Sequence, residues 1–167
     1  NYELGVALEV LAIKIGRLLS LDYTAWRARG RNTSGNEVDV VMDSVGLTFQ
    51  RWQIQCKNTK SKLSIDEVTR EVGISRRLKT DVILIIGREG VTSDARRFAD
   101  ITMSDENLTI VFLDDQDIMR LDQSPEHLIT KLQGEARRAK SFKRLGDGQM
   151  VEVSERMVSE EDEEEVE

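Results

Sequence analysis

The sequence has very few of the residues that cross-link small domains or bind soft metals. It contains one cysteine, Cys56, and one histidine, His127. A single cysteine excludes an internal disulfide and fits a reducing compartment, so we expect a cytoplasmic protein. The lack of a His and Cys cluster argues against a zinc site. No apolar run reaches the roughly 20 residues that cross a bilayer, and no signal peptide is recognised, so no membrane association is expected.

The net charge of −7 comes from one end of the chain. Residues 154–167 hold eight acids and one base, whereas the other 153 residues hold 23 acids and 23 bases. Dense blocks of like charge are typically disordered. The acidic balance therefore does not exclude nucleic-acid binding by the rest of the chain. We expect a folded core over 1–122, a basic helix over 123–146 and an acidic disordered tail over 147–167.

Hydrophobic spacing predicts an α/β protein with a mixed central sheet and helices on both sides. Two neighbouring strands form a predicted antiparallel hairpin. Continuous apolar runs on either side of a helix predict buried strands joined by a right-handed parallel crossover. The predicted elements are a helix over 3–19, strands over 23–29, 37–43 and 47–57, a helix over 64–79, a strand over 82–86, a helix from about 93, a strand over 108–113 and a helix ending near 145.

Three polar residues on the hairpin strands carry the chemistry. Because side chains alternate along a strand, Gln55 and Lys57 point to one face, and Ile54 and Cys56 point to the core. Asp39 lies on the neighbouring strand. A carboxylate and an amide oxygen are hard ligands for Mg²⁺, and an ammonium group orients the attacking water or stabilises charge on a phosphate. The pattern favours metal-dependent cleavage of phosphodiesters.

Two further ligands for the metal are available nearby. The main-chain carbonyl of Cys56 lies between Gln55 and Lys57 on the same strand. Glu9, on the first helix among small residues, adds a second carboxylate, either directly or through water. Each residue also has an ordinary structural interpretation, as a strand-edge acid, an exposed strand face or a solvated helix residue.

The motif strands resemble a known nuclease family. The segments 35–41 and 53–57 are similar to the Mrr-like branch of the PD-(D/E)xK nucleases, in which Gln-x-Lys stands where other branches have Asp-x-Lys or Glu-x-Lys. The helix that begins Leu8-Glu9 resembles the opening helix of that family. The later segments 80–86, 90–99 and 109–114 also resemble it.

This resemblance runs from about residue 3 to about residue 120 and implies a restriction-endonuclease-like fold. It implies metal binding by Asp39 and Gln55, catalysis by Lys57 and a supporting role for Glu9. Nothing in the sequence resembles the winged-helix DNA-reading domain that many Mrr relatives carry upstream. Since the chain begins with Asn rather than Met, we expect that an upstream DNA-recognition domain is missing from it.

Basic and polar residues flank the predicted site on two sides. Sequence-independent binding of a duplex depends on contacts of this kind with phosphates. The alternative is an ordinary solvated surface, because acids and bases balance in the body of the chain. The expected DNA-binding residues are Arg29, Arg31, Asn58, Lys60 and Lys62.

Together these patterns predict a Mg²⁺-dependent endodeoxyribonuclease of restriction, defence or DNA processing, with Mn²⁺ as a substitute. Double-strand cleavage needs two active sites, and a homodimer is the expected assembly. The alternatives are a nuclease specific for DNA junctions or for RNA, a non-cleaving nucleic-acid-binding module of the same fold, and an interaction domain organised around the acidic tail.

Overall fold

The computed structural model describes residues 2–33, 35–44, 46 and 49–144. The predicted acidic tail lies outside these residues. The elements are α1 (Tyr2–Leu18), β1 (Asp22–Arg29), a 3₁₀ turn (Arg31–Thr33), β2 (Glu37–Asp43), β3 (Arg51–Lys57), α2 (Ile65–Leu78), β4 (Val82–Gly87), α3 (Ser93–Asp105), β5 (Thr109–Leu113), α4 (Asp115–Gln123) and α5 (Glu126–Arg144).

The five strands form one mixed sheet in the order β1-β2-β3-β4-β5. The pairs β1–β2 and β2–β3 are antiparallel, and the pairs β3–β4 and β4–β5 are parallel. This confirms the predicted α/β fold with a hairpin followed by crossovers. One edge of the sheet therefore receives the carboxyl ends of β1, β3, β4 and β5 and the start of β2; we call it the C-terminal edge.

Helices cover both faces of the sheet. On the face that packs against α1, the buried core includes Ile54, Leu84 and Met42. On the face that packs against α2 and α3, it includes Ile83, Ile85 and other apolar side chains. Among the described helices, none combines the length and apolar character that a bilayer crossing requires.

Two elements differ from the prediction. The third strand begins at Arg51 rather than at 47, because the Ser44 N–H donates to the Gln50 carbonyl and Phe49 has a positive φ of 47°. Helix α4 is absent from the sequence-based expectation, since few apolar residues mark it. Its start is fixed by Asp114, whose carboxylate accepts the N–H of Asp117 at 3.0 Å.

The basic C-terminal helix is present as α5, which packs on the sheet and on α3. Leu128 and Ala139 of α5 are buried in the cores of the two faces. Arg138 pairs with Asp100 of α3, and Arg96 of α3 pairs with Glu135 at 3.0 Å. The division of the chain into a core ending at 122 and a separate basic helix stays a prediction.

Helix α1 approaches β2 closely at Gly16. A Cβ atom at Gly16 would lie 2.1 Å from the sulfur of Met42, which is fully buried. At Gly5, near the start of the same helix, a Cβ would have no atom within 4 Å. The small residue at 16 therefore sets how near α1, with Glu9 on it, comes to the strand that carries Asp39.

We expect Gly16→Ala to lower the free energy of unfolding by up to about 2 kcal/mol. Overpacking a core costs about 1–3 kcal/mol, and the higher helix propensity of alanine returns only about 1 kcal/mol. Gly5→Ala is the matched control and should stabilise the protein by up to about 1 kcal/mol. Urea denaturation of both variants measures the difference, and equal stability of the two would contradict the close contact.

A buried polar pair interrupts the apolar packing between β3 and α2. Gln53 donates from Nε2 to the Glu71 carboxylate at 2.9 Å, and both side chains are almost completely buried. Burial raises the pKa of Glu71 above its ordinary value near 4.5, although the charges of Lys57 and Arg70 and the Gln53 hydrogen bond oppose the shift. The fold therefore favours the protonated form of this carboxyl group.

Glu71→Gln is expected to gain stability relative to the parent as the pH rises from about 4 to 7. Below the pKa of the unfolded chain both states bind the proton, whereas above the raised pKa of the folded state ionisation of Glu71 costs folding free energy. Glu89→Gln, at an exposed position, is the control and should show a much smaller change. Parallel stability curves for Glu71→Gln and the parent between pH 4 and 7 would refute this assignment.

Candidate active site

Asp39 lies at the C-terminal edge, as the third residue of β2, and is 6% exposed. The antiparallel register pairs Val40 with Ile54, so the next step places Asp39 opposite Gln55. Its Oδ2 atom accepts a hydrogen bond from Gln55 Nε2 at 2.7 Å and another from the Cys56 N–H at 2.6 Å. Both donors come from β3, so strand pairing itself fixes the carboxylate.

Gln55 presents an oxygen with no donor. The Oε1 atom of Gln55 is buried and has no hydrogen-bond partner in the described part of the chain, and the same holds for Oε1 of Gln53. A buried amide oxygen without a donor costs free energy, and in native proteins it calls for a bound ion, a water or a functional role. The unsatisfied oxygen beside Asp39 is suited to coordinate a hard cation.

The environment of Asp39 raises the pKa of its carboxyl group. Burial is the main cause, and the neighbouring charges of Glu9 and Glu37 add to it. The Cys56 N–H and the Lys57 ammonium act in the opposite direction. A bound cation would reverse this balance, because positive charge favours the carboxylate form.

Lys57 ends β3 at the same edge and is half-buried. Its register partner in β4 is Gly87, and the Lys57 carbonyl accepts the Arg88 N–H at 3.4 Å. Its positive charge acts against the rise in pKa that burial gives Asp39 and Glu71. The structure therefore bonds Gln55 to Asp39 and places Lys57 two residues farther along the same strand, at the same edge of the sheet.

Glu9 lies near this group but is already paired. Its two carboxylate oxygens accept bonds from Arg27 Nε at 2.9 Å and Nη2 at 3.1 Å, and Trp26 Nε1 donates to it at 2.5 Å. Burial raises the pKa of Glu9, but the bonds from Arg27 and Trp26 outweigh burial, and the pKa lies below its ordinary value. Coordination of a metal by Glu9, directly or through water, stays a prediction.

The donor set fits a hard divalent cation held mainly by oxygen atoms of different types. Within the described residues, no three side chains of His, Cys, Asp or Glu lie together as in an all-side-chain metal site. The candidate oxygen ligands are the Asp39 carboxylate, the unsatisfied Gln55 oxygen and the Cys56 carbonyl, and their binding of a metal stays a prediction. Burial raises the pKa of the Cys56 thiol well above its ordinary value, which disfavours a thiolate nucleophile.

The predicted DNA-binding residues lie on two segments at the C-terminal edge. Arg29 ends β1 and pairs with Glu37 at 3.0 Å, and Arg31 follows it as an exposed residue. Asn58 follows β3 and lines a groove of about 370 Å³ together with Arg88. Lys60 and Lys62, farther along the same segment, are exposed. Since β1 and β3 flank β2, the segments begin about 10 Å apart, which one duplex spans; contact with DNA stays a prediction.

Sequence reasoning did not assign a role to several residues around the site. Gln53 and Glu71 form a buried hydrogen-bonded pair, and Trp26 and Arg27 donate hydrogen bonds to Glu9. Strand alternation places Gln53 on the same face as Gln55, so that signal was available. No local sequence pattern links Glu9 to Trp26 and Arg27, which lie 17 and 18 positions farther along the chain.

Comparison with known proteins identifies the family and the fold. The family model Mrr_cat, described as a restriction endonuclease, matches residues 9–121. The chain is similar to the DNA modification-dependent restriction endonuclease AspBHI, with 16% identity and a TM-score of 0.52 over 78% of this chain and 35% of AspBHI. No curated protein sequence matches it.

A further similar structure is the MspJI restriction endonuclease in complex with a 27-mer oligonucleotide. It is 15% identical, with a TM-score of 0.39 over 85% of this chain and 28% of MspJI. The chain thus spans about a third of the length of these two enzymes. Because the family match covers more than half of the sequence, the protein belongs to the Mrr_cat family of restriction endonucleases and has their α/β fold.

Proposed function

We propose that this chain is a divalent-metal-dependent DNA endonuclease whose active site comprises Asp39, Gln55 and Lys57. The observation that carries the proposal is the buried Asp39 carboxylate, bonded to Gln55 and Cys56 at the edge where Lys57 ends its strand. Membership of a restriction endonuclease family supports cleavage of DNA, and such families generally use divalent metal ions. Mg²⁺ is the proposed ion, with Mn²⁺ as a substitute.

The cation would be held by Asp39, the Oε1 atom of Gln55 and the main-chain carbonyl of Cys56. When bound, it supplies Lewis-acid stabilisation of the negative charge on the phosphate. The Lys57 ammonium adds positive charge where the phosphate is attacked and orients the attacking water. Glu9 supports the site electrostatically, and Arg29, Arg31, Asn58, Lys60 and Lys62 hold the DNA backbone.

The biological setting that we propose is restriction, defence or DNA processing in the cytoplasm. Each chain carries one such active site, so cleavage of both strands of a duplex would use a homodimer. Target choice would depend on a DNA-recognition domain outside the chain. The alternative is a junction-specific nuclease. It would use the same active site and the same hydrolysis, and only its DNA substrate would differ.

Lys57→Ala is expected to lower the cleavage rate by at least about 100-fold while leaving the fold intact. The reason is that it removes the ammonium group whose positive charge stabilises the transition state. Supercoiled plasmid incubated with Mg²⁺ or Mn²⁺ reports nicking and linearisation on a gel. Lys60→Ala is the matched control: it removes a nearby exposed base and should change affinity and salt dependence with little effect on the maximal rate. Equal activity of Lys57→Ala and the parent would eliminate the lysine assignment.

Asp39→Asn is expected to abolish tight Mn²⁺ binding, since it removes the principal charged ligand. Titration calorimetry or the electron paramagnetic resonance signal of free Mn²⁺ measures this without any DNA. Asp43→Asn, at the far end of β2 where Asp43 pairs with Arg51 at 2.8 Å, is the control and should retain Mn²⁺ affinity. Unchanged Mn²⁺ affinity in Asp39→Asn would place the metal elsewhere.

A further inference from the structure

Two aromatic side chains and an arginine form an exposed cluster on α1 and β1, the strand that pairs with the strand of Asp39. Tyr2 is 74% exposed and Trp26 is 41% exposed. The guanidinium carbon of Arg27 lies 5.6 Å from the centroid of the Tyr2 ring and 5.5 Å from that of the Trp26 ring. Both distances lie within the range of cation–π attraction. We call these three residues the aromatic cluster.

Hydrogen bonds to Glu9 hold the aromatic cluster in place. Arg27 makes a bidentate ion pair with Glu9, Trp26 donates its indole N–H to the same carboxylate, and Arg27 Nη1 donates to the Tyr2 hydroxyl at 3.2 Å. Side chains of consecutive strand residues normally point to opposite faces. The positive φ of Arg27, 49°, lets Arg27 and Trp26 both reach Glu9. Because these side chains are already ordered, a ligand that stacks on them loses little conformational entropy.

The position of the aromatic cluster relates it to the proposed chemistry. The β1–β2 register pairs Trp26 with Val40 and Ala28 with Val38, so Arg27 lies opposite Asp39. Opposed Cα atoms of antiparallel strands are about 5 Å apart. Trp26 shares the α1 face of the sheet with Val40, and Asp39 lies with Gln55 on the other face. A DNA strand that reaches both Asp39 and the aromatic cluster would therefore pass around the C-terminal edge of the sheet.

We propose that Tyr2, Trp26 and Arg27 form a stacking platform for an unpaired nucleobase of the DNA bound at Asp39. Exposed aromatic rings next to a positive charge bind single-stranded nucleic acid by stacking, whereas the bases of an intact duplex are stacked on one another and unavailable. The inference rests on the proposed nuclease function and sharpens it: the favoured substrate has unpaired nucleotides next to the cleaved bond, as in a flap, a gap or a branched junction.

Binding without metal tests the platform separately from cleavage. A fluorescein-labelled oligo-dT of ten nucleotides and a labelled blunt duplex of the same length are titrated with the full chain in EDTA. Fluorescence anisotropy gives the two binding affinities. In Trp52→Phe, which leaves Trp26 as the single tryptophan, oligo-dT should quench the tryptophan fluorescence and the blunt duplex should not.

Ring-preserving and ring-removing variants separate stacking from the hydrogen bonds. Tyr2→Phe and Trp26→Phe keep a ring and should retain most of the oligo-dT affinity, whereas Tyr2→Leu and Trp26→Leu should weaken it by roughly 5-fold or more. Phe49→Leu is the control, since Phe49 is 81% exposed but lies by the opposite end of the hairpin strands. It should bind oligo-dT like the parent.

The outcomes distinguish the two proposals. Plasmid cleavage with equal oligo-dT affinity in Tyr2→Leu, Trp26→Leu and the parent overturns the platform and leaves the nuclease function standing. Ring-dependent binding of oligo-dT with no cleavage in Mg²⁺ or Mn²⁺ supports the platform and contradicts the nuclease function. Equal affinity for the blunt duplex and for oligo-dT, with no quenching of Trp26, also overturns the platform.

Discussion

The pairing of β2 with β3 holds the carboxylate of Asp39 in place, and the rest of the site depends on it. One oxygen of Asp39 accepts hydrogen bonds from the Gln55 amide and from the Cys56 N–H. Two successive residues of β3 therefore hold the carboxylate of the neighbouring strand. A slip of one residue in this register would turn Asp39 to the opposite face of the sheet. The buried apolar neighbours Val40 and Ile54, which pair directly, make such a slip costly. Hydrophobic packing and site geometry are thus specified by the same pairing.

Charge around Asp39 is arranged in pairs. The negative charge of Glu9 is met by Arg27, and the charge of Lys57 opposes the rise in pKa that burial gives Asp39 and Glu71. Buried charges are costly unless they are paired, so Glu9 carries its charge beside Arg27, whereas burial favours the protonated form of Glu71. A cation at Asp39 would therefore enter a site whose other charges are largely balanced.

Much of the fold follows from periodic patterns in the sequence. The helix over Ile65–Leu78 is marked by the capping box at Ser64, and the strand over Val82–Gly87 by its continuous apolar run. The grouping of Asp39 with Gln55 and Lys57 follows from strand alternation and hairpin pairing. The positive φ of Arg27 and the ion pair with Glu9 do not follow, because they depend on contacts distant in the sequence. Helix α4 is missed because its start is set by the side chain of Asp114 and little of its surface is apolar.

Strand β1 lies at the outer edge of the described sheet, and its backbone is irregular there. The register with β2 shifts between Tyr23 and Ala25, and Arg27 adopts a left-handed conformation two residues later. Open strand edges invite pairing with another chain, and bulges with local twist are a common defence against it. A second copy of the protein is thereby hindered from extending the sheet across β1.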